Sequence, residues 1–294
     1  MPEGRRIALI GPGAIGTTIA AALHEAGRAP LLCGRTARDR LALDAAGTRI
    51  VVPGPVLTEP AAVDGPADLV FLAVKGTQTT AARPWLEVLC GTETVVCVLQ
   101  NGVEQEEAVT PLAAGATVIP AVVWFPAETQ SDGSVRLHGE ARLTLPDRPA
   151  SQTVLDALRG TRCIVDTAGD FTSVAWRKLL QNAAAGLMAL TGRRAGVFRR
   201  DDIAALTLDY VRECLAVARA AGAQLDDETP QAILDGFRAQ PIDRGTSILA
   251  DRESGRALEW DVRNGVVQRV GRALGVATPI SDVVVPLLAA TSDG

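Results

Sequence analysis

The stretch Gly11-Pro12-Gly13-Ala14-Ile15-Gly16 constrains this chain more than any other. It follows a short apolar run, Ile7 to Ile10, and opens an alanine-rich helical pattern that ends near Ala26, with Gly27 as its cap. In a Gly-x-Gly-x-x-Gly turn between strand and helix each glycine has its own steric task. The first permits the tight turn, the second lets the backbone approach a pyrophosphate, and the third lets helix and strand pack closely. The helix N-terminus then points at the phosphates. Alone the motif is weak, because glycine-rich turns are common. At the start of a βαβ unit it is specific. Gly11, Gly13, Ala14, Ile15 and Gly16 are therefore candidate contacts to a dinucleotide, the alternative being a merely structural turn.

The following pattern extends that unit. Leu31 to Cys33, Ala67 to Val74, Thr94 to Leu99 and Thr117 to Val123 read as strands, and Ala67 to Val74 is a nearly continuous apolar run of the kind buried on both faces. Pro120 suggests an edge or a bulge. Helical patterns fall between them, at Ala37 to Ala46, Thr79 to Leu89 and from about Glu104. Alternation of this kind predicts an α/β fold with a mostly parallel sheet covered on both faces. Beyond Pro126, Ser134 to His138 and Ala141 to Leu145 alternate around Gly139 and read as a hairpin, with a short helix (Val154 to Leu158) and strand (Cys163 to Val165) after it. From about Ser173 only helical patterns remain. The expected division is residues 1–168, carrying the nucleotide, and residues 169–294, all helical.

Composition excludes several classes. A net charge of −5 over 294 residues argues against a general nucleic-acid or membrane-surface binder, which needs a basic field. No apolar run approaches the ~18 residues of a membrane span. The segment Met1 to Arg6 leads straight into the first strand and does not read as a signal peptide. Five scattered cysteines and two histidines suggest a reducing cytoplasm and no metal site.

Of 29 basic residues only Lys75 and Lys178 are lysine. Arginine keeps its proton at ordinary pH, whereas lysine can be tuned to release one. Lys75 directly follows the strand ending at Val74, and Asn101 has the same placement one strand later. The C-terminal ends of parallel strands line the ligand crevice of such sheets. The bland reading is an exposed lysine and an Asn-Gly turn. Lys178 and Asn182 stand four residues apart, on one face of an apolar helix. At the end of the second strand, where an NAD binder usually carries a carboxylate, the chain has Gly34-Arg35-Thr36 with Arg38 following. Arg35 suits a 2′-phosphate, so NADP(H) is expected over NAD(H). The alternative is a solvated arginine.

These pieces together resemble the ketopantoate reductase family. The resemblance runs through Gly11-x-Gly13-x-x-Gly16, Val74-Lys75, Leu99-Gln100-Asn101-Gly102, Trp176-Arg177-Lys178 with Asn182, Ala189-Leu190-Thr191-Gly192, Ser247-Ile248-Leu249, and Glu259 twelve residues beyond Ser247. It implies a Rossmann-type domain, a helical domain, a site in the cleft, and NADPH-dependent reduction of a 2-oxo acid such as ketopantoate. Lys178 would be the general acid with Glu259 beside it. Asn182, Ser247 and Asn101 would hold substrate, while Lys75 and Asn101 would line the nicotinamide end.

Twelve residues on an unbroken helix would separate Ser247 from Glu259 by about 18 Å. Ser254-Gly255 therefore predicts a break, with Glu259 in the first turn of a second helix. The resemblance departs at Gly186, where the family commonly has an asparagine. The missing side chain is expected to open volume, which admits bulkier or less polar 2-oxo acids. An imine- or opine-forming dehydrogenase and a non-catalytic NADPH sensor are the competing functions. The patch Arg193, Arg194, Arg199, Arg200 reads as a solvated helix end or a subunit contact, and the apolar C-terminal helices offer a homodimer surface.

Overall fold

The computed structural model describes residues 5–293; residues 1–4, the start of the N-terminal lead, lie outside the described residues. The chain divides into two compact units, Met1–Phe171 and Thr172–Gly294.

In the first unit the glycine turn joins β1 (Ile7–Ile10) to α1 (Ala14–Glu25), and β2 (Leu31–Cys33) follows. Next come a hairpin of β3 (Arg40–Ala45) and β4 (Thr48–Pro53), then β5 (Leu69–Leu72), α2 (Arg83–Leu89), β6 (Val95–Val98), α3 (Gln105–Val109) and β7 (Thr117–Pro120). The main sheet has the order β2-β1-β5-β6-β7, and every pairing in it is parallel. Strand order reverses at β1, so the glycine turn emerges at the crevice where such sheets bind ligands. Alternate residues supply the two faces. Ile7, Leu9, Leu69, Phe71 and Cys97 pack with α1 in one core. Ala8, Ile10, Val70, Leu72, Val96 and Val98 pack against Trp85, Leu86 and Leu89 of α2 in the other. Pro120 sits on the edge strand, where its missing N–H costs no ladder bond.

Two sequence expectations fail here. Residues 40–45 form a strand, not a helix. Leu41, Leu43 and Ala45 are buried alternately with their more exposed neighbours, and Ala46 and Gly47, both at positive φ, turn the chain directly into β4. Helix-favouring Ala, Leu and Arg are overridden because that strand face packs on α1 and joins the same core. Residues 134–145 are likewise not one hairpin. After β8 (Val122–Val123), β9 (Ala127–Thr129) pairs antiparallel with β10 (Val135–Leu137) through the turn at Gln130–Gly133. β10 also extends the β3–β4 sheet, whereas β11 (Ala141–Pro146) joins a separate sheet with β8 and β12 (Cys163–Ala168). The turn at Gly139 thus hands the chain from one sheet to another. α4 (Ser151–Leu158) precedes β12.

The second unit is helical. It contains most of α5 (Phe171–Thr191), then α6 (Asp201–Ala220), α7 (Thr229–Arg238), α8 (Ser247–Glu253), α9 (Val266–Leu274) and α10 (Ser281–Asp293). One turn of π-helix, Asp261–Gly265, leads into α9. No helix of the described residues is long and apolar enough to cross a membrane.

The packing of α1 on β1 gives a direct test. A Cβ at Gly16 would collide with the Gly11 carbonyl, with Leu9 Cδ2 only 3.1 Å away. Gly16→Val should lower stability by roughly 2 kcal/mol or more, a cost typical of forced overpacking, measured by urea denaturation.

Candidate active site

In the first unit the predicted cofactor residues gather at one end of the main sheet. Gly11, at φ 92°, donates its N–H to Cys33 O at 2.9 Å, tying the turn to the end of β2. A Cβ on Gly11 would meet Val74 N at 2.7 Å, so the turn also lies against the segment carrying Lys75. A Cβ on Gly34 would meet Pro12 at 2.9 Å, which brings the Arg35 segment to the same place. Arg35 and Arg38 are exposed. Gly13 caps α1 with no side-chain hydrogen bond, and the space beside its Cα is open. Ala14, Ile15 and Gly16 begin that helix. Gly13 N–H closes the turn on Gly11 O at 2.8 Å, so the N–H groups left for a ligand are those of the first turn of α1, from Ala14 on, a helix start that fits a pyrophosphate.

Lys75 and Asn101 are both partly buried. A network that sequence reasoning missed connects their loops. Thr79 Oγ1 donates to Gly76 O at 2.9 Å, and Gln100 Nε2 donates to Thr79 Oγ1 at 2.9 Å. Gln105 Nε2 donates to Gln100 O at 3.0 Å and to Gly102 O at 2.7 Å, holding the loop on both sides of Asn101. The only trace of this in the sequence is the clustering of Gln100, Asn101 and Gln105 after a buried strand.

In the second unit Lys178 and Asn182 project from α5, whose C-terminal carbonyls of Ala189 and Leu190 accept hydrogen bonds from Arg252 of α8. The chain does break after α8, with Ser254 and Gly255 in a turn and Gly255 at φ 60°. Glu259 stands just before the next helical residue, Trp260, and not within the first turn as expected. Residues 256–259 take no regular structure, and Leu258 donates its N–H to Ser292 Oγ of α10 at 2.9 Å instead of to a helical carbonyl, so the helix restarts after them.

The missed residue is Arg263, only 3% exposed. Its Nη2 donates to Ser247 Oγ at 2.9 Å and lies 3.6 Å from Glu259 Oε2, itself 6% exposed. Burial, and then the charge of Arg263, push the Lys178 ammonium down from 10.5 to about 8. Lys178, Ser247, Glu259 and Arg263 therefore share one electrostatic neighbourhood. No motif flagged Arg263, because an arginine four residues after a glutamate usually marks a solvated helix face.

Gly186 opens no volume. The side chain of Asn264 fills its place, 2.7 Å from where a Cβ would stand, and Asn264 Nδ2 is held by Ala183 O at 3.1 Å and Tyr210 Oη at 3.0 Å. The arginine patch is likewise engaged locally, Arg194 with Glu253 and Arg200 with Asp202.

A parallel sheet with a glycine-rich crevice, joined in one chain to a helical unit bearing a half-buried lysine near hydroxyl, carboxylate and guanidinium groups, is the plan of a nicotinamide-dependent reductase. Residues 7–150 match the model of the ketopantoate reductase PanE/ApbA family and residues 170–292 that of its C-terminal domain, and the chain belongs to this family. It is 59% identical to a 2-dehydropantoate 2-reductase of Mycobacterium tuberculosis, over 98% of both chains. It is 37% identical to one from Caulobacter vibrioides, over 97% of this chain and 99% of that one. Among solved structures, a PanE/ApbA family ketopantoate reductase from Ralstonia eutropha superposes with a TM-score of 0.88 at 29% identity, over 98% of both chains. A dimeric ketopantoate reductase from Staphylococcus aureus matches with a TM-score of 0.88 at 25% identity, over 98% of this chain and 99% of that one.

The crowding at Gly186 predicts that Gly186→Asn destabilises the protein by about 1–3 kcal/mol, since a new side chain must displace Asn264 from its buried partners. A thermal melt would show this as a lowered midpoint; an unchanged midpoint would mean that the Asn264 side chain moves aside freely.

Proposed function

We propose that the protein is an NADPH-dependent 2-oxo acid reductase acting on ketopantoate. The observation that carries the reading is Lys178, an ammonium pushed down to about 8 by burial and by Arg263, on the same helix face as Asn182. The 59% identity to a named 2-dehydropantoate 2-reductase supports the substrate.

NADPH, when bound, would supply the hydride to the keto carbon. The chain's own part begins with the turn: Gly11 and Gly13 would shape the close approach to the pyrophosphate, the backbone N–H groups of Ala14, Ile15 and Gly16 at the helix start would hold it, and Arg35 would pair with the 2′-phosphate. Lys75 and Asn101 would line the nicotinamide end. Negative charge develops on the carbonyl oxygen as reduction proceeds, and Lys178 stabilises it and then donates the proton. Burial alone could leave a lysine deprotonated. A pKa of about 8 keeps it charged at neutral pH while making the proton easier to release. Glu259 would orient the cationic cluster, and Asn182 and Ser247 of the helical unit would hold the substrate's polar groups. Arginine at position 178 would stabilise the charge without releasing a proton. Unlike an imine-forming enzyme, which needs an amine partner, this cluster is built for an oxygen that gains a proton.

Five buried free cysteines accord with a cytoplasmic enzyme. Val283 and Leu287, exposed one turn apart on α10, are the apolar surface that a homodimer would use.

Loss of NADPH absorbance with ketopantoate, first in a panel of 2-oxo acids, tests the activity. Lys178→Met should lower kcat by about 10²–10⁴-fold while NADPH binding is retained. Tight NADPH binding with no turnover of any acid would instead favour a sensor. The acid must be protonated to act, so kcat/KM should hold below the Lys178 pKa of about 8 and fall with rising pH above it. Arg35 predicts a lower Kd for NADPH than for NADH in equilibrium fluorescence titrations, and Arg35→Ala should narrow the difference; equal affinities in the wild type would remove that role.

A further inference from the structure

Arg263 is buried without an obvious structural need. An isolated buried guanidinium is costly, and replacing such groups with apolar ones is often neutral or stabilising. Among the described residues its polar contacts go to Ser247 and Glu259, two residues proposed above for substrate binding and catalysis. Its Nη2 donates to Ser247 Oγ at 2.9 Å and faces Glu259 Oε2 at 3.6 Å, and its Nε is buried with no acceptor among the described residues.

The direction of the Ser247 bond matters. A serine hydroxyl has one proton to donate and two lone pairs. The guanidinium occupies a lone pair, so the proton is left for another acceptor. Ser247 is exposed, and among the described residues its hydroxyl donates to none. A hydroxyl polarised by a cation and offering its proton outward suits an anionic acceptor. The other carboxylates on neighbouring segments are held elsewhere: Asp251 pairs with Arg256 at 3.0 Å, Glu253 with Arg194 at 2.8 Å, and Asp261 with Arg269 at 2.7 Å. Asn264, next to Arg263, is turned to Ala183 and Tyr210. The charged groups around the guanidinium are thus Glu259 from the link before the π-turn and Lys178 from α5.

We propose that Arg263 is a positioning and specificity-determining residue: it orients the Ser247 hydroxyl as a donor to the carboxylate of the 2-oxo acid, and it ties Ser247 to Glu259 across the helix break. The inference rests on the reductase reading above. Arg263 acts through Ser247 and through its field on Lys178, and so sets both substrate affinity and the pH at which the acid works.

The test compares Arg263→Met and Arg263→Lys in the full-length enzyme with NADPH, after thermal melts show both to be folded. Arg263→Met should raise KM for ketopantoate at least about tenfold while kcat changes less, and should move the alkaline limb of kcat/KM to higher pH, because a cation beside Lys178 is gone. Arg263→Lys should recover most of both. If Arg263→Met does not fold, Ser247→Ala, Arg263→Lys and their combination replace it; the combined loss in affinity should be smaller than the product of the single losses. A KM within twofold of wild type with an unmoved pH limb, equal losses in the Met and Lys variants, or independent effects in the double variant would overturn the proposal. Calorimetric titration of pantoate into the NADP⁺-saturated protein separates the two readings. Arg263-dependent binding by a wild type that reduces nothing would sink the reductase and keep Arg263's role, whereas a wild type that binds no acid would sink both.

Discussion

The close contact between the first glycine turn and the helix it opens is the constraint on which the first unit depends. At residue 16 there is no room for a side chain beside the Gly11 carbonyl, and at residue 11 none beside the backbone of Val74. α1 can therefore lie directly on β1, with Ile19 and Leu23 fully buried beside Leu9 and Phe71. The same approach keeps the helix start open to an anion and brings the Cys33-Gly34 and Val74-Lys75 segments to the turn. The close packing and the open helix start come from one set of missing Cβ atoms.

The second unit rests on a different balance, the placing of charge in a poorly solvated region. Lys178, Glu259 and Arg263 are gathered by α5 and by the interrupted stretch from α8 to α9. The break at Gly255 brings Ser247 and residue 263 within hydrogen-bond reach, and the π-turn carries Arg263 and Asn264 inward together. Asn264 then fastens this turn to α5 through the Ala183 carbonyl, one residue after Asn182. The electrostatics that tune Lys178 are thus held by neutral hydrogen bonds, which tolerate pH change.

Much of the fold was legible because buried parallel strands are conspicuous: Leu69–Leu72 and Val95–Val98 have no polar residue to dilute the pattern. The β3 strand is disguised because Arg-Leu-Ala-Leu-Asp-Ala has helical composition, and only the two-residue period and the Ala46-Gly47 turn betray it. The sheet exchange at Gly139 was hidden for another reason. Local alternation tells that a segment is a strand, but partner choice depends on distant β3, β8, β9 and β12. Among the proposed site residues, those at strand ends were visible from periodicity. Arg263 was not, since nothing in a Glu-x-x-x-Arg spacing distinguishes a solvated pair from a buried one.

By itself the sequence determined the glycine turn, the order of buried strands, the shift to helices after Ser173 and the placing of Lys178 with Asn182 on one helix face. These are properties of short windows, set by sterics and by the two- and 3.6-residue periods. Only the tertiary structure decided which strands share a sheet, that Asn264 fills the space beside Gly186, and that Arg263 is drawn to Ser247 and Glu259. Such choices depend on which groups lose water together, and desolvation is a property of the packed molecule that no local window contains.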